Sequence, residues 1–270
     1  MNFITLLKFL FLGAIQGFTE PIPVSSSGHL IIFKHLLNDS VMNDLNFEIF
    51  VNFGSLIAIL FIFKDDILNL VKDFFQYIAT KEKKYEENFK YCWLIVIGSI
   101  PAGFAGLLLK DKIETMLTDV KIVGIALLIT ALFLFIIKDM RGKKGDHNIN
   151  FKNAVVIGLY QVVALFPGIS RSGATLVGGM QQGLKRDVAF KFSFMLYIPI
   201  SLATMILGLK DFLTSNVDSV LWIYYLGGMI VSGIITYFSA KWFRNLVKEG
   251  KLIYFVYYCI IAGLAVLIFL

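Results

Sequence analysis

Charge is what this sequence has least of. Of 270 residues, 16% are Asp, Glu, Lys or Arg, and there are only three His, two Cys and five Pro. Soluble domains carry about 25% charged residues and about 45–50% apolar ones. Here the apolar share is 57% and the mean hydropathy is +0.76. That balance excludes an ordinary soluble globule, and it excludes disorder, which needs low hydrophobicity and high charge. The two cysteines, Cys92 and Cys259, each lie in an apolar run with no partner nearby in sequence. A disulfide-stapled secreted domain and a zinc site are therefore not expected. Residues 1–18 have no basic segment ahead of their apolar stretch and no small-x-small site after it, so they are expected to remain in the protein rather than act as a cleaved signal. What remains is an all-α polytopic membrane protein. The 26 Phe fit it, because lipid accepts large apolar side chains on the outside of a bundle. A net charge of +6 would suggest nucleic acid in a soluble chain. In a membrane protein Lys and Arg collect in cytoplasmic loops, so nucleic acid is not expected as a partner.

A spanning helix needs about 20 mostly apolar residues. Runs of that kind lie at roughly 46–63, 91–109, 120–137, 188–209, 220–240 and 252–270. Two other apolar regions are interrupted, 3–38 by PIPVSSSG (21–28) and 152–184 by PGISRSG (167–173). Each reads as two half-helices around a break. In lipid, broken backbone persists only where protein or a watery cavity satisfies it, so the two breaks are the places to look for a site.

Lysines and arginines concentrate in 64–90, 138–152 and 241–251, while 38–46 and 211–219 contain none. With the basic segments inside, the six spans thread without conflict. The threading leaves 152–184 re-entering from the cytoplasmic face and 3–38 from the other. The chain is thus expected to be one membrane domain, 1–270, in two pseudo-repeats of about 1–138 and 152–270. Each repeat would hold a broken re-entrant pair and three transmembrane helices, the second inverted relative to the first, with the site near the midplane. A shift of 145 residues pairs Gly13 with Gly158, Gln16 with Gln161, Ser25 with Ser170, Ser27 with Ser172 and Gly28 with Gly173.

Charges inside a membrane cost about 2.5 kcal/mol or more each on insertion scales, so the few interior ones carry information. Glu20 lies in the first break, Arg171 in the second, and Glu48 early in span 46–63. Opposite charges in the two breaks suggest that the breaks face each other. Ser170, Arg171, Ser172, Gly173 and Thr175 combine hydroxyls, a glycine and a guanidinium at the start of a half-helix. Free N–H groups at a helix start, close backbone approach at glycine and the guanidinium fork together make an anion cradle, best suited to phosphate. The alternative is a packing corner whose Arg pairs with Glu20. In the first break, Gln16 and Glu20 are four apart and share a face if helical. Ser25, Ser26, Ser27 and His29 follow, and His29 is a candidate acid, base or nucleophile beside them. A carboxylate, an Arg and many hydroxyls suit a phosphorylated substrate with a divalent cation, Mg²⁺ or Ca²⁺, bridging carboxylate and phosphate. Asn52, Gly54 and Ser55 either line the same cavity or pack helices.

Taken together, these residues resemble the bacterial undecaprenyl-diphosphate phosphatases, also called bacitracin-resistance proteins. The likeness rests on Gln16-Gly17-Phe18-Thr19-Glu20, on Pro23-Val24-Ser25-Ser26-Ser27-Gly28-His29, on the run Pro167 to Thr175, and on Phe192-Ser193-Phe194. The resemblance implies hydrolysis of a polyprenyl diphosphate to the monophosphate carrier used in peptidoglycan synthesis, and with it bacitracin resistance. It also implies a bacterial plasma-membrane location, catalysis on the extracytoplasmic side, divalent-metal dependence and a homodimer. Carried over by position, Glu20 would hold metal or act in acid/base chemistry, and Arg171 would bind the phosphates. Ser26 or His29 would attack phosphorus or activate water. Gln16, Ser25, Ser27, Ser170, Ser172, Gly173 and Thr175 would complete the substrate site. Many members have Glu where this chain has Gln16, which cannot be an anionic ligand or a base. The rival reading is a lipid-carrier flippase or anion transporter, which shares the architecture but needs no nucleophile beside its cradle.

Overall fold

A computed structural model describes residues 2–38, 45–116, 119–214 and 219–270. Its regular structure is helical. The helices are α1 (Phe3–Thr19), α2 (Ser26–Leu37), α3 (Leu45–Ile62), α4 (Lys64–Thr80), α5 (Glu86–Met116), α6 (Val120–Ile137), α7 (Phe151–Val163), α8 (Arg171–Gln181), α9 (Arg186–Thr214), α10 (Ser219–Glu249) and α11 (Ile253–Phe269). Short polar side chains start several of them. Asn2 caps α1, Ser25 caps α2, Asp119 caps α6, Asn150 caps α7 and Ser170 caps α8, each accepting from a backbone N–H of the first turn.

Among the described residues, four segments are long and apolar enough to cross a membrane: Lys83–Leu109, Val120–Ile137, Arg186–Leu209 and Leu221–Glu249. A fifth is added if α3 and α4, bent 75° at Phe63, are taken as one span. The outside of the bundle is apolar, as lipid requires. Phe104, Leu107, Leu108, Phe238, Ile261 and Ile268 are all exposed. The interior is filled by buried aromatics such as Phe190, Phe192, Phe194 and Phe243 and by the α6 stripe Val123, Leu127 and Leu134.

Both interrupted regions are broken as their composition predicts. Residues 20–25 separate α1 from α2, and residues 164–170 separate α7 from α8. At 12 and 11 residues, α2 and α8 are about 16–18 Å long and too short to cross a hydrocarbon core of about 30 Å. Two segments read as basic loops prove to be helical. Residues 64–80 form α4, whose Lys and Asp residues alternate with an apolar face, and 241–249 extend α10. Span hydropathy does not register such stretches because their polar face lowers the mean. Of the stretches read as free of Lys and Arg, residues 39–44 and 215–218 lie outside the described residues.

Helix α1 packs on α10, and α7 on α5. A Cβ on Gly13 would sit 2.4 Å from the Gly228 carbonyl oxygen, and one on Gly158 would sit 2.4 Å from the Gly98 oxygen. Both residues of the 145-residue pairing are thus backbone-to-backbone crossings where only glycine fits. At the basic end, Lys191 of α9 pairs with Asp66 of α4 at 2.6 Å and reaches Asp146 at 3.5 Å.

These crossings set a test. Gly158→Ala will destabilise the folded protein by about 1–3 kcal/mol, the ordinary cost of overpacking. Gly103→Ala, whose Cβ would meet nothing closer than Ile200 at 4.0 Å, will be neutral or stabilising by up to about 1 kcal/mol through helix propensity. Thermal unfolding in detergent checks both; equal shifts would remove the close-crossing argument.

Candidate active site

The two breaks face each other. The Ser172 hydroxyl donates to the Ile22 carbonyl at 3.1 Å, a Cβ on Gly173 would touch Pro23, and one on Gly28 would lie 3.1 Å from the Gly168 Cα. Gly168 has φ of +90°, a conformation glycine adopts without strain, and it turns the second break under α6. Thr130 of α6 ties down that turn, accepting from the Ser170 N–H at 3.2 Å.

Glu20 and Arg171 meet across this junction. The Arg171 Nη2 donates to Glu20 Oε1, and the carboxylate side chain is only 6% exposed. The other carboxylate oxygen accepts from Gln16 Nε2 at 2.9 Å and from the Ser26 hydroxyl. Helix α1 runs to Thr19 and Glu20 keeps helical geometry, so the four-residue spacing of Gln16 and Glu20 places them on one face. Arg171 lies over the ring of Tyr197, with Cζ 3.8 Å from the centroid, and the Tyr197 hydroxyl reaches Asn52 Oδ1 at 3.2 Å. Cation–π contact of this kind positions a guanidinium that lipid would otherwise disfavour.

Both half-helices begin at the site, and they begin alike. Ser25 accepts from Gly28 N–H at 3.3 Å and lies 3.4 Å, oxygen to oxygen, from Ser27. Ser170 accepts from Gly173 N–H at 3.1 Å and lies 3.1 Å from Ser172. Ser26 and Arg171 are therefore first-turn residues of α2 and α8, where free N–H groups favour an anion. Ser25 holds a positive φ of 69°, a strained conformation for a residue with a Cβ.

These groups border a cavity of about 190 Å³. Its wall includes Glu20, Ser25, Ser26, Ser27, Ser170, Arg171 and Ser172, together with Asn52 and Tyr197. Leu165, Ile169 and Ile200 line an apolar side, and Thr204 carries the wall to the exposed face of α9. Of the residues singled out from sequence, Gln16 acts behind the wall by holding Glu20. Gly173 supplies the N–H that Ser170 caps, and Thr175 donates to the Arg171 carbonyl and pairs with Ser193 of the Phe192-Ser193-Phe194 run. His29 stands apart. Its Nδ1 lies 2.7 Å from the Ser25 carbonyl and its Nε2 lies 2.6 Å from the Tyr258 hydroxyl, so neither nitrogen engages Ser26.

Glu48 pairs with Lys34 at 2.7 Å, outside the cavity wall. Gly54 and Ser55 pack on α10, where a Gly54 Cβ would meet the Met229 carbonyl and Ser55 bonds Ser232 at 2.9 Å. Asn52 alone of that trio reaches the cavity. Both cysteines are free thiols. Among the described residues no three His, Cys, Asp or Glu gather as a metal cage. Among the described residues Glu20 is the one carboxylate on the cavity wall, so an ion there would need oxygens from a ligand as well.

The profile of the bacitracin resistance protein BacA family matches residues 9–265. The chain belongs to that family. It is 47% identical over 270 residues to undecaprenyl-diphosphatase 1 of Bacillus licheniformis, covering 100% of both proteins. It is 46% identical to undecaprenyl-diphosphatase 2 of Bacillus thuringiensis, covering 100% of this chain and 99% of that one, and 45% identical to undecaprenyl-diphosphatase of Oceanobacillus iheyensis, covering 100% and 98%. Likeness over whole chains means that the family pattern covers both breaks and the helices between them. Tyr197 and Tyr258 escaped the sequence reading, because an aromatic in an apolar span carries no mark of what its hydroxyl or ring will meet.

The Arg171 platform is testable. Tyr197→Leu will remove the ring under the guanidinium and reduce kcat/KM about tenfold or more, since a desolvated cation–π contact is worth about 2 kcal/mol. Tyr197→Phe keeps the ring and will retain most activity. Equal losses in both variants, measured as phosphate release, would shift the role from the ring to the hydroxyl.

Proposed function

We propose that this protein hydrolyses undecaprenyl diphosphate to undecaprenyl phosphate and inorganic phosphate, recycling the lipid carrier for cell-wall synthesis and conferring bacitracin resistance. The observation that carries the reading is the meeting of Glu20, Ser26 and Arg171, drawn from two distant breaks, in one cavity. The full-length likeness to proteins named undecaprenyl-diphosphatase supports the substrate.

The chemistry follows from the contacts. An incoming diphosphate competes with Glu20 for the Arg171 guanidinium, whose fork matches phosphate oxygens. Glu20, released from that pairing, takes the proton of the Ser26 hydroxyl with which it already shares a hydrogen bond. The serine oxygen, or a water held in its place, attacks the terminal phosphorus and the bond to the bridging oxygen breaks. The lipid monophosphate leaves, and where serine is the nucleophile, water then cleaves the phosphoserine. Charge on the transferring group is met by Arg171 and by the N–H groups opening α2 and α8. His29, held by Ser25 and Tyr258, orients the Ser25–Ser27 turn and does not exchange protons with Ser26. A carrier has no use for a hydroxyl bonded to a carboxylate beside its cradle, which favours the hydrolase over a flippase.

A divalent cation, Mg²⁺ or Ca²⁺, fits this site as one held by Glu20 and substrate phosphate oxygens together, and it would neutralise phosphate charge. We place the protein in the bacterial plasma membrane with the cavity toward the extracytoplasmic side. In support, Asn52 lies about two helical turns from the start of α3 that follows the Lys- and Arg-free stretch, whereas Lys191, Asp66 and Asp146 gather at the basic end. The inverted arrangement of the two halves belongs to this reading too, supported by the matched caps at Ser25 and Ser170. A homodimer rests on the family resemblance.

Purified protein will release phosphate from undecaprenyl diphosphate. Release will stop on chelation, return with Mg²⁺ or Ca²⁺, and fall at least a hundredfold in Glu20→Ala, Arg171→Ala and Ser26→Ala, the scale of losing a charge-stabilising or nucleophilic group. A folded wild type inactive with every cation would sink the phosphatase.

A further inference from the structure

Gln161 lies in α7, near its C-terminal end, and is 1% exposed. It forms part of the cavity wall with Glu20 and Arg171. Both polar atoms of its amide, Nε2 and Oε1, are buried without a hydrogen-bond partner. So is Nη1 of Arg171, the guanidinium nitrogen that Glu20 does not occupy. A buried polar group left unpaired opposes folding, and native proteins keep such groups rarely and at sites that use them.

The 145-residue pairing gives Gln161 a point of comparison. Its counterpart is Gln16, whose Nε2 donates to Glu20 four residues on. Four residues after Gln161 the chain has Leu165, which also lines the cavity. The second half therefore has the amide donor with no carboxylate four residues on. The terminal amide torsion of Gln is broad and roughly two-fold, so a flip of the amide can present Nε2 to the cavity.

We propose that Gln161 is a substrate-binding residue, its Nε2 donating to a phosphate oxygen of a bound diphosphate alongside Arg171 Nη1. This deepens the phosphatase reading and rests on it for the identity of the ligand. The phosphate oxygen takes the place, relative to Gln161, that the Glu20 carboxylate takes relative to Gln16. Two donors that are unsatisfied in the protein alone acquire their acceptor from the ligand. Arg171 brings the charge and Gln161 the direction.

The test uses full-length protein in detergent and a polyprenyl methylenediphosphonate, which binds as a diphosphate but cannot be hydrolysed. Gln161→Leu removes the amide and keeps most of the volume. Its melting temperature is expected to equal or exceed that of wild type, because an unsatisfied amide has been removed. Its Kd for the analogue is expected to rise about ten- to a hundredfold, the worth of a hydrogen bond to a charged group. With undecaprenyl diphosphate, KM should rise more than kcat falls. Should Gln161→Leu fail to fold, Gln161→Met, unbranched and of similar length, carries the same test. Analogue binding at wild-type affinity in a folded variant would overturn the proposal, as would a lowered melting temperature with binding unchanged. The binding arm needs no turnover, so a wild type that binds the analogue but releases no phosphate would overturn the phosphatase reading and leave Gln161 judged by its own Kd.

Discussion

The ion pair of Glu20 and Arg171 is the interaction on which the rest of the molecule depends. Each charge alone would be expensive in a membrane, and removing one partner of a buried pair typically costs about 3–5 kcal/mol because the other is left uncompensated. Glu20 ends α1 and Arg171 begins α8, so their pairing holds together two breaks that are 151 residues apart in sequence. The Ser172 hydroxyl, donating to the Ile22 carbonyl, adds a second polar contact across the same junction. The pair is also incomplete, since one guanidinium nitrogen has no protein partner. A complete, fully satisfied pair would be a structural clamp. This one has capacity left for an anion.

Around that pair the fold uses one local device twice. A serine caps a short half-helix by accepting from the N–H three residues on, a second serine lies beside it, and a glycine in the first turn lets the opposite break come close. The result is two helix starts aimed at one cavity, which concentrates N–H donors where lipid would normally forbid free backbone. The two copies are not equivalent in chemistry. The first carries the carboxylate and the hydroxyl bonded to it, and the second carries the guanidinium. Gln16 correspondingly has the Glu20 carboxylate four residues on, whereas Gln161 has Leu165 there and no hydrogen-bond partner.

Much of this was legible in the sequence because membranes restrict what a chain can do. The span read at 120–137 is α6 to the residue, and the two Ser/Gly/Pro interruptions are the two breaks. Interior charge is rare enough that Glu20 and Arg171 identified each other. What stayed hidden depends on helix rotation and on distant neighbours. Asn52, Gly54 and Ser55 lie within four residues of sequence, yet one faces the cavity and two face α10. His29 reads as a partner for Ser26 by proximity in sequence, but α2 turns it toward Tyr258, which is 229 residues away. Amphipathic α4 escaped a reading based on mean hydropathy because its charged face offsets its apolar one.

The cavity departs from good packing in three places: the positive φ of Ser25, the free Nη1 of Arg171 and the unpaired amide of Gln161. Strain and unsatisfied groups persist only where the surroundings over-determine them. The close glycine crossings of α1 on α10 and α7 on α5 provide that restraint, since they lock the helices that lead into the two breaks and leave little room for a relaxed alternative. Rigid crossings outside and unsatisfied donors inside are thus parts of one arrangement. The first holds the helices that lead into the breaks, and the second leaves hydrogen-bonding capacity in the space between them that no protein group fills.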